Sequence, residues 1–431
     1  MNKLNHIFIT PVLFLSFFQL CAQVTEKYAD ENFKNFIFDK ALEQYLELYE
    51  NDSANYEYNY RIGLCYLNTN HNKKKALPYL QKAVKHPDAD NITKLDLGRA
   101  LLHNHKFDEA IKYANEFIKN ERKDELIEEA NLLIQWCQHA KNIIKNPLDV
   151  TFINLGEDVN SEKDDYTPFI TNNGQILVFT TNNKYNYQFQ AYINNVYYSE
   201  KRHGSFYRSK SVGSRINTLD DETLMGMSNK NDKIIVQLKR YDIWEDIYYV
   251  EMENGRFDAP ETFGEKINSK ELEAGATIST SGDTLIFASQ REDENKLDLF
   301  MSLKLPDGTW SEGLNLGPVI NTKQNENFPK LSLDGKKLYF CSEGHNSMGG
   351  YDIFVLEKNL QTGAWEEPKN FGYPVNTTYD NYNISMVENG RFGFCSLIKE
   401  EGLGELDIYK VVFNEKTPVN VIYKGKIGIE A

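Results

Sequence analysis

The chain has 431 residues, with 63 Asp or Glu against 48 Lys or Arg and a formal net charge of −15. That length exceeds one ordinary hydrophobic core, so two or more domains are expected; 41% hydrophobic and 13% aromatic residues exclude a disordered chain. The acidic balance excludes nucleic acid as a partner, because phosphate contacts need basic surface.

The chain opens with MNKLNHIFITPVLFLSFFQLCAQ: one cation at Lys3, an apolar run from Ile7 to Leu20, then small or polar residues. This pattern predicts a secretory signal over residues 1–22, with cleavage after Ala22. Lipid attachment at Cys21 is the competing reading. A lipoprotein signal wants a small residue before the cysteine and Leu20 stands there, so simple cleavage is preferred. No later segment reaches the ~18 unbroken apolar residues of a spanning helix. Export would place Cys65, Cys137, Cys341 and Cys395 in an oxidising compartment, where an even number suggests disulfides. Their contexts argue instead for four buried small hydrophobes, because two sit on separate helical patterns and two share one slot of a repeat.

From Tyr28 to about Lys145 apolar residues recur at helical spacing. Ala41, Ala76 and Ala110 are 35 and 34 residues apart, and Gly63 and Gly98 are 35 apart. The stretches YRIGLCYLN and LDLGRALLHNHKFDEAIKYANEFI resemble the tetratricopeptide repeat, in which small residues let paired helices approach. The first unit matches poorly, with Ala29 in place of the glycine, and a closing helix runs through EEANLLIQWCQHAKNII. The resemblance implies helical repeats over residues 23–146 with a concave, protein-binding groove. Tyr60, Leu64, Leu95 and Arg99 occupy the groove positions where a carboxylate clamp would carry Lys and Asn, so that activity is not expected.

At Asn146-Pro147 the chain changes to short β-rich runs, turns and aromatics. Five copies of one unit follow, anchored at Asn160, Asn217, Asn268, Asn321 and Asn376, at intervals of 57, 51, 53 and 55. Each carries a turn: Asn173-Gly174, Asn231-Asp232, Ser281-Gly282, Asp334-Gly335 and Asn389-Gly390. An aromatic strand comes next, opened by Asp246, Asp298, Asp352 and Asp407 in the last four copies. Four short strands per repeat predict a β-propeller blade. The unit running from Pro329 to Phe354 closely resembles the bacterial WD40-like (PD40) repeat. The expected architecture is therefore α then β: a tetratricopeptide array followed by a five-bladed propeller over residues 147–414. The strand in PLDVTFINLG should close the ring by pairing with LDIYKVVF.

The tail KTPVNVIYKGKIGIEA, residues 415–431, resembles the start of a carboxypeptidase-regulatory-like β-sandwich. This order of parts is similar to exported Bacteroidetes envelope proteins of the PorE and OmpA families, in which a peptidoglycan-binding OmpA-like domain follows. The resemblance implies a periplasmic or outer-membrane-associated protein, with type IX secretion as one setting. Contact with peptidoglycan is expected only through a C-terminal domain of that kind.

The sequence offers candidates for three kinds of chemistry. A propeller-bearing serine hydrolase needs a G-x-S-x-G elbow and a later histidine, but His345 stands two before Ser347 and no histidine follows it. For metals, His103 and His105 lie two apart and cannot share an ion on a helix; they read as polar residues of an inter-helix turn, and His71 with His86 is no stronger. The acidic runs REDENKLD (Arg291–Asp298) and SEKDDY (Ser161–Tyr166) lack a regular calcium loop and read as solvated. No catalytic residue, cofactor or metal site is assigned. The stretch NNKYNYQFQAYINNVYY (Asn182–Tyr198) packs five tyrosines into an unusually long blade loop, read either as a recognition loop or as a cover for one propeller face. The expected function is a non-enzymatic exported scaffold that binds envelope proteins through the helical groove and the propeller faces. The alternative is a glycan- or peptide-binding module.

Overall fold

The computed structural model describes residues 26–415 except 71, 189–190, 239–245, 254 and 388–389. The stretch read as a secretory signal, with Cys21, the tail beyond residue 415, His71 and Asn389 therefore lie outside the described residues. The chain divides into two compact units between Asn142 and Ile143.

The first unit is helical: α1 (26–34), α2 (Phe38–Asn51), α3 (Tyr56–Leu67), α4 (Ala76–Ala83), α5 (Ile92–His103), α6 (Phe107–Ile118) and α7 (Asp124–Ile143). Asn55 starts α3 by accepting from the Tyr58 amide at 3.2 Å, which satisfies one of the orphan donors of a helix N-terminus. The small residues act as the periodicity predicts. A Cβ on Gly63 would lie 2.5 Å from Leu80 Cγ, and one on Gly98 would lie 2.9 Å from Leu133 Cδ2. Ala41, Ala76 and Ala110 are fully buried. One expectation needs correction. His103 is the last residue of α5 and is buried, whereas only His105 occupies the turn, with φ +56° and its ring stacked on Phe107.

The second unit is a five-bladed β-propeller of antiparallel sheets. Blade 1 holds Asp165–Ile170, Ile176–Asn186, Ala191–Arg202 and the short Lys210–Ser211. Blade 2 holds Glu222–Met227, Lys233–Leu238, Asp246–Glu253 and Glu261–Thr262; blade 3 holds Glu273–Ile278, Thr284–Ser289, Asp298–Leu303 and Leu314–Asn315. Blade 4 holds Glu326–Leu331, Lys337–Ser342, Asp352–Glu357 and Lys369–Asn370. Blade 5 holds Ser385–Val387, Phe392–Leu397 and Asp407–Phe413, and its fourth strand is Val150–Asn154 from the start of the unit. That pairing runs from Val150 opposite Phe413 to Asn154 opposite Tyr409, so the ring closes where the sequence places the closure.

The hairpin turns follow from local chemistry. At Ser332–Lys336 the Asp334 carboxylate accepts from the Ser332 hydroxyl (2.6 Å) and the Lys336 amide (3.1 Å), and Gly335 supplies φ +68°. The inner strands of blades 1 to 4 each carry a register shift, and backbone groups there face a neighbouring blade. Asn327 Oδ1 accepts from Gly275 N at 2.9 Å, and Thr180 Oγ1 accepts from Leu224 N at 2.9 Å. At Gly226 the approach is close enough that a Cβ would lie 1.8 Å from Ala276 O. The hydrophobic core fills the seams between blades, for example Phe169, Val178, Leu224 and Val236 between blades 1 and 2.

Candidate functional site

The recurring polar residues belong to the seams. Asn376 lies in the connector between blades 4 and 5; its Oδ1 accepts from Ile353 N (2.9 Å) and its Nδ2 donates to Ile353 O (2.8 Å). Asn160 clasps Ile408, Asn217 clasps Val196 and Asn321 clasps Leu299 in the same two-bond manner, and Asn268 donates to Ile247 O at 3.0 Å. Five residues after each asparagine comes a buried acid or amide: Asp165, Glu222, Glu273, Glu326 and Asn381. Glu326 accepts from the Thr322 amide (2.9 Å), the Thr322 hydroxyl (2.7 Å) and the Ser342 hydroxyl (2.6 Å).

Burial pushes Glu326 up to about 7, with the Asp298 charge adding to the shift and the hydrogen bonds from Ser342 and Thr322 opposing it. Burial likewise raises Asp165 and Glu222 to about 7. It raises Asp246 to about 6, with Glu273 adding to the shift. The buried acids Asp165, Glu222, Glu273 and Glu326 escaped the sequence reading as a set. Their signal was the constant five-residue offset from the anchoring asparagines. The reading of SEKDDY as a solvated loop is corrected accordingly: Asp165 is buried and Asp164 Oδ1 accepts from the Leu406 amide at 3.0 Å. In REDENKLD, Glu292 to Asn295 are exposed, but Arg291 turns inward to the Ile267 carbonyl at 2.5 Å and Asp298 is buried.

The hydrolase and metal candidates are held by the fold. Ser347 is buried and donates to Gly350 O at 2.7 Å, which pins the loop before the third strand of blade 4. His345 bonds Ile320 O at 2.9 Å through Nε2 and rests against Phe340 and Phe354, and burial lowers its pKa below the usual histidine value. Burial also holds His103 well below the usual histidine range. Among the described residues no three His, Cys, Asp or Glu converge in a metal-ligating arrangement. The four described cysteines are unbridged and buried.

On the helical unit, Tyr60 and Arg99 do share one surface. The Tyr60 hydroxyl donates to Asp96 (2.9 Å), and Arg99 bonds Asp96 (2.7 Å) and Glu129 (2.5 Å), linking α3, α5 and α7. Leu64 is half-buried, but Leu95 is fully buried and belongs to the core, not to an open groove face.

The tyrosine-rich loop is a β-arm. The second and third strands of blade 1 run on past the sheet, so that Tyr185 stands opposite Tyr192. Asn186 Nδ2 donates to Leu219 O (2.6 Å), and the Asn194 amide donates to Asp221 (2.8 Å), tying the arm to the connector into blade 2. Tyr185 meets both Tyr187 and Tyr192 edge-on, each at 5.1 Å between ring centres. Tyr187 is 86% exposed, Tyr192 46% and the neighbouring Leu219 62%. Thus the arm covers the connector with one face and presents tyrosines on the other. A concavity of about 680 Å³ lies between blades 2 and 3 and is lined by Tyr249, Phe263, Trp310, Lys233 and Lys304.

No protein family profile matches this chain, and no curated protein is similar to it in sequence. Solved structures are similar at low identity. TolB from Acinetobacter baumannii is 13% identical, with a TM-score of 0.38, over 61% of this chain and 57% of that one. The TPR domain of P58(IPK) is 22% identical, with a TM-score of 0.25, over 29% of this chain and 34% of that one. A β-1,2-mannobiose phosphorylase from Listeria innocua is 8% identical, with a TM-score of 0.42, over 61% of this chain and 96% of that one. This chain therefore spans little more than half the length of the TolB it matches. No helix among the described residues is long and apolar enough to cross a membrane.

Proposed function

We propose that this protein is a non-enzymatic exported scaffold that binds protein partners in the cell envelope, in the periplasm or at the outer membrane. A type IX secretion assembly or a related complex is the specific setting. The boundaries read from the sequence (signal 1–22, repeats 23–146, propeller 147–414, tail 415–431) belong to this proposal. One observation carries it: the polar residues that recur are consumed in holding blades together, while the largest departure from the repeat is an anchored arm whose exposed face is aromatic. Long, ordered excursions from a rigid scaffold are the usual carriers of recognition. The exposed tyrosines also favour the second reading, a glycan- or peptide-binding module.

The test is chemical cross-linking of envelope fractions followed by isolation of the native chain. A discrete protein complex that persists in Ser347→Ala is expected. A chain isolated alone, with a hydrolytic activity that Ser347→Ala abolishes in a folded protein, would overturn the proposal.

A further inference from the structure

The loops joining second to third strands and the connectors joining blades lie on one rim of the propeller. Direct bonds show this: Leu406 N donates to Asp164, Tyr351 N to Asp380 and Leu297 N to Asn325. The described loops of this rim (156–164, 212–221, 263–272, 290–297, 316–325, 343–351, 371–384 and 398–406) hold sixteen Asp or Glu against eight Lys or Arg. The tyrosine arm rises from the same rim, since its anchors are Leu219 and Asp221 of the connector into blade 2.

The arm already shows what its rings accept. The Lys163 ammonium sits 4.3 Å from the centre of the Tyr192 ring, a cation–π contact made at the rim itself. Tyr187 carries the most exposed ring of the cluster. Because the arm is fixed by backbone and amide bonds to the connector, docking on it costs little ordering.

We propose that this rim docks a Lys/Arg-rich segment of a partner protein, with Tyr187 and Tyr192 as its cation-binding anchors. The inference rests on the scaffold reading and names the kind of partner that the propeller takes. The carboxylate excess supplies long-range attraction, and the aromatic faces supply short-range selection for guanidinium and ammonium groups. A neutral glycan would use the rings but gain nothing from the rim's charge. An anionic lipid surface would be repelled by it.

The test is fluorescence anisotropy on the full chain with a labelled alternating Arg-Gly dodecapeptide, an alternating Glu-Gly control and a labelled chitohexaose. The Arg-Gly probe alone should bind, and more weakly as salt rises from about 50 to about 300 mM. Y187A/Y192A should weaken binding about tenfold, since two cation–π contacts are lost. Y187F/Y192F should bind as the parent does, because the rings remain. L360A, at an exposed position in a loop of the opposite rim, should change nothing. Unaltered melting of each variant shows that the fold is intact. Equal binding by Y187A/Y192A would reduce the effect to generic charge attraction and overturn the proposal. Absence of Arg-Gly binding, or a preference for chitohexaose, would overturn it as well. If the native chain still isolates in a protein complex under those outcomes, the scaffold reading stands and this inference falls.

Discussion

Asn376 completes blade 4 from outside it. Its side-chain amide pairs with both backbone groups of Ile353, at 2.9 and 2.8 Å, as a neighbouring strand would. Both residues are buried, so removing the amide leaves an N–H and a C=O without partners or water. Each such group costs about 1–3 kcal/mol. Asn376→Ala is therefore expected to destabilise the propeller by about 2–4 kcal/mol in urea unfolding. A loss below about 0.5 kcal/mol would show that the clasp adds nothing.

Two glycines separate crowding from backbone conformation. Gly226→Ala places a methyl group against the Ala276 carbonyl, where no flexible side chain can yield, so an overpacking cost of about 1–3 kcal/mol or more is expected. Gly335→Val meets open space but a left-handed φ of +68°, worth about 1–2 kcal/mol in strain. Thermal melting of the two variants checks both, and an unchanged melting temperature in either refutes its cause.

In the helical unit, Ala110 is fully buried where α5 and α6 meet, its carbonyl 3.5 Å from where a Cβ on Gly98 would stand. Ala110→Trp should cost about 1–3 kcal/mol or more by overpacking. Its loss should appear in helical circular dichroism before the β signal. Simultaneous loss of both signals would contradict that ordering.

The buried acids set a pH dependence. The folded-state pKa of Glu326, about 7, lies above the ordinary glutamate value, so the folded state holds the proton more tightly than the unfolded chain. The stabilising contribution is full below about pH 4 and is lost as pH rises through about 7. Glu326→Gln mimics the protonated acid. The variant should therefore match the parent near pH 4 and exceed it near pH 8 by roughly 1–3 kcal/mol in urea unfolding. A difference that does not change between these pH values would place Glu326 outside the titration.

The repeats were legible because a blade and a helix pair impose the same steric demand at each turn of the ring or array. Gly63, Ala110 and Gly335 show that demand as small residues at fixed spacing. The partners of the asparagines were not legible. Asn160 clasps Ile408 across 248 residues, and only ring closure brings them together. The acids at the seams looked like surface charge, since a carboxylate in a polar run carries no mark of burial. Only its recurrence at one offset from the asparagine does. The five-tyrosine stretch was visible as an excess over the repeat, but its form as an anchored arm depends on bonds to Leu219 and Asp221, which belong to the connector after its own blade.

The most direct measurement is photo-cross-linking in intact envelope, with a photoreactive phenylalanine analogue in place of Tyr187 and, as control, of Leu360. A discrete protein adduct from position 187 and none from position 360 is the expected result. No protein adduct at 187, or adducts of equal yield at both positions, would contradict the claim that this protein is a scaffold working through its arm.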